Sequence, residues 1–465
     1  MNFVAEPFQD VGIAHLVATP RAALFTGMGL GKTVTTLTAL VDVASAYALV
    51  VAPVRVCNLT WPNEVAAWRH LRPRPVHNLR TRAGWAAMLA RQPGLYTVNY
   101  EALPRLVAKA LKGKRAGWLW DTIVFDELTL AKNPKSKRIN ALRPFLERQP
   151  SVRRWGLTGT PTPNSLMELF AQIRLLDDGQ RLGRSFSDFR NTYFHATDYM
   201  QYNWEINPGA ERTIYHRIAD MVLVQRSEDY LRVTPPIVED VPVPLPDDAR
   251  AAYDELEKDL IWQYDAGNIV AQTAAVLVNK LQQMTGGNVY RTADELDPVG
   301  GVVAVHRAKL DALLALAKRH PGEPLLVASC YRAEQARILA ELPGAERFPT
   351  NGAQQQDALA RWNAGKIRAL VTDPRSMGHG LNLQAGGRLI VWYSVPWSGE
   401  TYPQFNARLV RRGQTEEVRI YRLVCPDTVD EAIIEAHDNK GHNQGELMRV
   451  LRNLKMMQQT HKDLL

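Results

Sequence analysis

At 465 residues, 46% hydrophobic and 22% charged, the chain is long enough for two or three buried cores and has the balance of a soluble globular protein. Its longest apolar runs, such as AYALVVAP at 46–53, fall short of the about 20 residues a membrane-spanning helix needs. The N-terminus lacks the basic start of a signal peptide, and the net charge of +8 gathers at 68–82, 112–115, 132–138 and 408–414, which suits a polyanionic partner or a solvated basic surface.

Along the first half, short apolar runs alternate with helical patterns. AALFT reads as a strand and TVTTLTALVDVASA as a helix opened by Thr33, with Gly27, Met28, Gly29, Leu30, Gly31 and Lys32 between them. Strand, glycine-rich turn and helix form the context of a phosphate-binding loop. In it, the backbone N–H groups of Gly29 and Gly31 face a polyphosphate, Lys32 reaches the β and γ phosphates, and Thr33 ligates magnesium. Thr26 stands where the usual pattern has its first glycine, so a ligand-free turn stays open on these residues alone.

Next come the strand YALVVAP, the turn APVRV, the strand LYTVNY and the strand DTIVFDE, which ends on Asp126 and Glu127. An acidic pair at a strand end serves as a turn or cap as readily as a site. Paired with a phosphate loop, it reads as Asp126 holding magnesium and Glu127 orienting or deprotonating the attacking water. RRWGLTGT then places Thr158, Gly159 and Thr160 between a strand and a helix start, where hydroxyls meet phosphate or merely cap the helix.

After residue 320 the same grammar returns in PLLVASC, RALVTDP, RLIVWYS and EVRIYRLV. Strand–helix alternation predicts parallel sheets covered on both faces, hence an α/β fold in two lobes. The lobe boundary is expected in the proline-spaced stretch 232–248, giving domains 1–232 and 233–465. Helical excursions are expected at about 165–230 and 245–305, and a basic amphipathic helix at about 443–463. The three cysteines, Cys57, Cys330 and Cys425, form no metal-type pair and read as buried thiols in a reducing cytoplasm.

In combination, MGLGKTVTTL, WPNEVAAW, the Asp-Glu pair, LTGTPTPNSLMELF, GLNLQAG, QFNARLVRRGQ and IYRLVCPDTVDEAI resemble, in order, the motifs of the Swi/Snf-type family of helicase superfamily two. The resemblance spans almost the whole chain and points to a compact viral or bacterial-type member. It implies two RecA-like lobes of the P-loop NTPase class with helical insertions between them and ATP bound between the lobes. By this resemblance Gln9 reads adenine, Gly380 and Gln404 attend the nucleotide, and Arg408 and Arg411 stabilise the transferring phosphoryl group. Pro53, Arg55, Thr158, Gly159, Thr160, Asn382 and Trp397 meet the nucleic acid, while the residues alone leave an exposed surface position open for Gln9 and a core position open for Trp397.

The implied function is ATP-driven movement on double-stranded DNA by a monomer using ATP and magnesium. A strand-separating helicase on RNA or DNA and a nucleotide-switched clamp are the alternatives. Cytoplasm is the expected compartment, that of the host if the protein is viral, and the nucleus only if it is eukaryotic. The family's acidic pair before its loop is replaced by Thr26 and Gly27, its residues after the Asp-Glu pair by Leu128 and Thr129, and an aspartate and a histidine of its last motif by Ala407 and Val410. These departures bear on the coupling of DNA binding to hydrolysis.

Overall fold

In the computed structural model, which describes residues 1–112, 119–162, 165–197, 201, 204–230, 234–265, 271–290, 301–349, 352–377 and 381–438, the apolar runs are strands. The chain divides into two compact units, Met1–Arg232 and Val233–Leu465.

The first unit holds β1 (Arg21–Thr26), β2 (Tyr47–Ala52), β3 (Val76–Asn78), β4 (Gly94–Asn99), β5 (Thr122–Asp126), β6 (Arg153–Thr158), the short pair β7 (Phe194–Ala196) and β8 (Trp204–Ile206), and β9 (Val222–Gln225). All but β7 and β8 join one sheet in the order β3-β4-β2-β5-β6-β1-β9, with every pairing parallel.

Period-two alternation sends successive side chains to opposite faces. Along β5, Val124 joins a core with Leu24, Leu37, Trp61 and Trp155. Ile123 and Phe125 join another with Leu142 and Phe170. The first of these faces is covered by helices α1 (Pro7–Ala18), α2 (Lys32–Asp42) and α3 (Trp61–Ala67).

The excursion at 165–230 is less helical than the sequence suggests. Helices Leu169–Asp177, Phe186–Tyr193 and Ala210–Ile218 surround the antiparallel pair β7 and β8, and β9 then returns to the main sheet beside β1. A four-residue strand carries too little periodicity to be distinguished from a helical turn. Its pairing with a strand some 200 positions earlier is what defines it.

The second unit holds β10 (Ile237–Pro242), β11 (Asn288–Tyr290), β12 (Val302–Ala304), β13 (Leu325–Ala328), β14 (Ala345–Arg347), β15 (Ala369–Thr372), β16 (Leu389–Trp392) and β17 (Arg419–Val424). Its main sheet runs β10-β17-β16-β13-β15-β14, again parallel throughout. The proline-spaced stretch therefore contains β10, an edge strand, where proline is tolerated because one side of the backbone needs no ladder partner. Besides helices Asp247–Asp265 and Ala271–Thr285, the excursion after it contains the antiparallel pair β11 and β12. The helix expected at 443–463 lies outside the described residues.

Beneath the ends of β13 and β16 lies a buried polar cluster. Lys309 is paired with Asp430 at 2.7 Å, and Thr285 donates to the same carboxylate at 3.0 Å. Burial alone pulls the Lys309 ammonium down, but Asp430 beside it leaves it above its ordinary value. Ser329 and Ser394 each donate to Glu334 Oε2 at 2.7 Å. Burial nevertheless pushes the Glu334 carboxyl up to about 7.

Candidate nucleotide site

The glycine-rich loop joins the C-terminal end of β1 to α2, so it lies at the edge of a parallel sheet where such folds bind ligands. Gly31, the residue before α2, has φ 73° and ψ 34°, a left-handed conformation open to glycine at little cost. A side chain there would also meet the Gln9 amide, 2.5 Å from where a Cβ would be. Gln9 is thus seated on the loop: its Nε2 donates to Leu30 O at 3.4 Å, and its Oε1 accepts from Glu6 N at 3.0 Å. Lys32 Nζ donates to Thr26 O at 2.7 Å and Gly27 O at 3.2 Å, which folds the lysine back over its own loop.

The other side of the loop is braced by β9. Gly27 N donates to Gln225 O at 2.8 Å, and Ser227 Oγ donates to Met28 O at 2.8 Å. A Cβ on Gly27 would strike the Ser227 hydroxyl and lie 2.7 Å from its backbone N. The buried Gln225 side chain lies 3.4 Å from the Thr26 hydroxyl and donates to Phe8 O at 2.7 Å, linking loop and α1. Sequence reasoning misses Gln225 and Ser227 because no local pattern ties them to a loop about 200 residues away.

Asp126 ends β5 and Glu127 follows it, and the register Asp126↔Leu157 and Leu157↔Leu24 places them two strands from β1 on the same edge. Asp126 follows Val124 by two positions, so its side chain leaves the sheet on the face that α2 and α3 cover. There its Oδ2 accepts the Trp61 indole N–H at 2.9 Å and its Oδ1 accepts Glu127 N at 3.1 Å. Glu127 has φ 53° and ψ 61°, left-handed without being glycine. The fully buried Tyr100 hydroxyl lies 3.0 Å from Asp126 O and 3.4 Å from Glu127 O, bracing this turn. Trp61 and Tyr100 are further residues that motif reading leaves without a role.

Thr158 ends β6 between these two strands. Its Oγ1 accepts from Thr160 N at 3.2 Å. At Gly159 a Cβ would lie 3.7 Å from Lys32 Nζ, so the bare backbone borders the lysine. The buried Thr160 hydroxyl has no hydrogen-bond partner among the described residues. Pro53 and Arg55 follow β2 on the same edge, both half-buried, and burial pulls the Arg55 guanidinium below its ordinary pKa. The first unit thus gathers the loop, the acidic pair, Thr158–Thr160 and the Pro53–Arg55 turn along one sheet edge.

The second unit joins its own predicted residues. Arg408, almost fully buried, donates through Nε to Gln404 O at 3.0 Å and through Nη1 to Leu381 O at 3.4 Å, and Arg411 Nη1 donates to the same Leu381 O at 3.3 Å. Gln404 donates to Glu400 Oε1 at 2.9 Å. Gln414 holds Gln384 O and Gly387 O at 3.1 and 3.0 Å, so the stretches 381–387 and 404–414 are laced together. Asn382 is exposed at their border. Trp397 is half-buried and packs against the core of this unit. Gly380 lies outside the described residues.

The oxygen donors in the first unit suit magnesium, a hard cation that takes one or two protein oxygens and completes its shell with phosphate and water. Asp126 offers a carboxylate on the α2 face and Thr33 a hydroxyl in the first turn of that helix. No group of three or more His, Cys, Asp or Glu that could hold a metal occurs among the described residues.

A phosphate loop between β1 and α2, an acidic pair two strands away and a second all-parallel sheet in the same chain are the architecture of a helicase-type P-loop ATPase with two RecA-like lobes. The SNF2-related domain matches residues 15–285, more than half of the chain, and the chain belongs to this family, the Snf2-type ATPases of helicase superfamily two. It is 33% identical over 471 residues to protein p41 of Acyrthosiphon pisum secondary endosymbiont phage 1, covering 97% of this chain and 99% of that protein. It is also 26% identical over 457 residues to the human SWI/SNF-related matrix-associated actin-dependent regulator of chromatin subfamily A member 1. That match covers 89% of this chain but 40% of the human protein. Among solved structures, the Sulfolobus solfataricus SWI2/SNF2 ATPase core in complex with dsDNA matches with a TM-score of 0.42 at 19% identity, over 94% of this chain and 92% of that one.

Proposed function

We propose that the protein hydrolyses ATP to move along double-stranded DNA without separating its strands. The observation that carries this reading is the convergence of Lys32, Gly159 and the acidic pair at one edge of the first sheet. Family membership and the clustered positive charge support a nucleic-acid track.

In this mechanism the N–H groups of the loop and Lys32 bind the triphosphate, Lys32 exchanging its loop carbonyls for phosphate oxygens. Gln9, seated on the loop, reads the adenine. Glu127 orients the attacking water and takes its proton. Asp126 and Thr33 would hold magnesium, which supplies charge neutralisation of the phosphates when bound. Arg408 and Arg411 stabilise the charge of the transferring phosphoryl group, with Gly380 and Gln404 attending the nucleotide. Thr158–Thr160, Pro53, Arg55, Asn382 and Trp397 contact the DNA, mostly through its backbone, so movement is insensitive to sequence.

The test is ATPase activity without nucleic acid and with single-stranded DNA, duplex DNA and RNA across a salt series, alongside release of a triplex-forming strand from duplex. Greatest stimulation by duplex, with triplex release and no strand displacement, is expected. Strand displacement would favour an unwinding helicase. Turnover indifferent to every nucleic acid would refute the motor.

A further inference from the structure

Trp61 is fully buried, and its ring belongs to the core between the first sheet and α2. An indole N–H in such a place must find an acceptor. Here the acceptor is the Asp126 carboxylate at 2.9 Å, across 65 positions of sequence. Burying an aromatic ring needs no N–H, and phenylalanine would fill most of this volume. The N–H therefore serves the carboxylate: with Glu127 N on Oδ1 and the indole on Oδ2, each carboxylate oxygen has a donor fixing the group's rotation.

Trp61 is itself placed by an unusual turn. Residues Val56–Thr60 form a π-helical turn that runs directly into α3 at Trp61. Such wide turns are rare and concentrate at functional sites. Arg55 is the residue that opens this turn, and Cys57 within it is so deeply buried beside Asp126 that its thiol is pushed up to about 12. Cys57 Sγ donates to Ala52 O at 3.4 Å, and Thr97 Oγ1 donates to Cys57 O at 3.4 Å, tying the turn to the end of β2 and to β4. The turn is therefore held from two sides: by β2, which leads into Pro53 and Arg55, together with β4, and by the indole on Asp126.

We propose that Trp61 is a positioning residue that orients the Asp126 carboxylate for magnesium and mechanically joins the Pro53–Arg55 segment to that carboxylate. This rests on the ATPase reading above. Residues that hydrogen-bond a metal-ligating group fix its orientation, and their loss typically lowers metal affinity about 10- to 100-fold. Trp155 is the internal control. It is fully buried in the same core, and its indole N–H donates to a backbone carbonyl, Thr19 O, at 3.2 Å.

The experiment measures binding of a nonhydrolysable ATP analogue by calorimetry, with magnesium or with EDTA, for the full-length wild type, Trp61→Phe and Trp155→Phe. In Trp61→Phe the tightening produced by magnesium is expected to shrink about 10- to 100-fold while magnesium-free binding is preserved. Trp155→Phe is expected to keep the wild-type ratio. An unchanged ratio in Trp61→Phe, or an equal loss in Trp155→Phe, overturns the assignment. A wild type that binds no nucleotide in either condition refutes the ATPase reading itself, and this assignment with it.

Hydrogen exchange on the wild type needs no variant to fold. Adding magnesium to the analogue-bound chain is expected to slow exchange at 56–61 but not at 153–156. No change at 56–61 also overturns the proposal.

Discussion

Glu127 occupies a left-handed backbone conformation, which costs a residue with a side chain about 1–2 kcal/mol, and Tyr100 braces the two carbonyls around it. Strain retained beside a buried carboxylate accords with a catalytic assignment. Glu127→Gln should therefore lower kcat about 10²- to 10⁴-fold with nucleotide affinity kept, as read by single-turnover and equilibrium binding assays. Should the variant keep full biological activity while trapping ATP, a nucleotide-switched clamp would be the better description. Arg411→Ala should spare ATP binding and reduce turnover by about 10³- to 10⁵-fold.

Glu334 makes a separate prediction about pH. Its carboxyl sits at about 7 in the folded chain against 4.5 ordinarily, so the folded state holds the proton more tightly than the unfolded one. Its stabilising contribution is full below about pH 4.5 and is lost as pH rises through about 7, on the order of 3 kcal/mol in all. Thermal melts of wild type and Glu334→Gln between pH 4.5 and 8 should differ in slope, the variant gaining relative stability towards pH 8. At this scale, Lys32 and Asp126 are legible in the sequence because a loop and an acidic pair have fixed local spacing. Trp61, Tyr100, Gln225 and Ser227 are not, because each acts through a contact far away in the chain.

Among the elements, the strands leading to the site in the first unit are the easiest to read, since β1, β2 and β5 are apolar through their middles and buried on both faces. The edge strands β3, β9, β10 and β14 are short, partly exposed or flanked by proline, and pairing rather than composition defines them. Gly27→Ala tests the consequence of one such edge. Its methyl group would be driven into Ser227, displacing either β9 or the loop, a strain of about 1–3 kcal/mol. Nucleotide affinity should fall while the melting temperature changes by only a few degrees, measured by calorimetry and differential scanning fluorimetry.

For the whole molecule, the two-unit α/β organisation is legible because the same strand–helix grammar occurs twice, with a change of composition between. A net charge of +8 gives no fold information but does forecast salt-sensitive association. If six or more phosphates are neutralised, duplex affinity should drop about 10³-fold or more between 50 and 200 mM salt, read by fluorescence anisotropy. A flat salt response would remove the polyanion from the account.

The bracing of the phosphate loop by Ser227 also fixes an order of events while the protein is being made. Gly27 emerges from the ribosome 200 residues before Ser227, a delay of about 10–40 s at ordinary rates of synthesis. During that interval the loop lacks both its neighbouring strand and the Ser227 hydroxyl beyond it, so the nascent first unit completes its loop-bearing edge only as its last residues arrive.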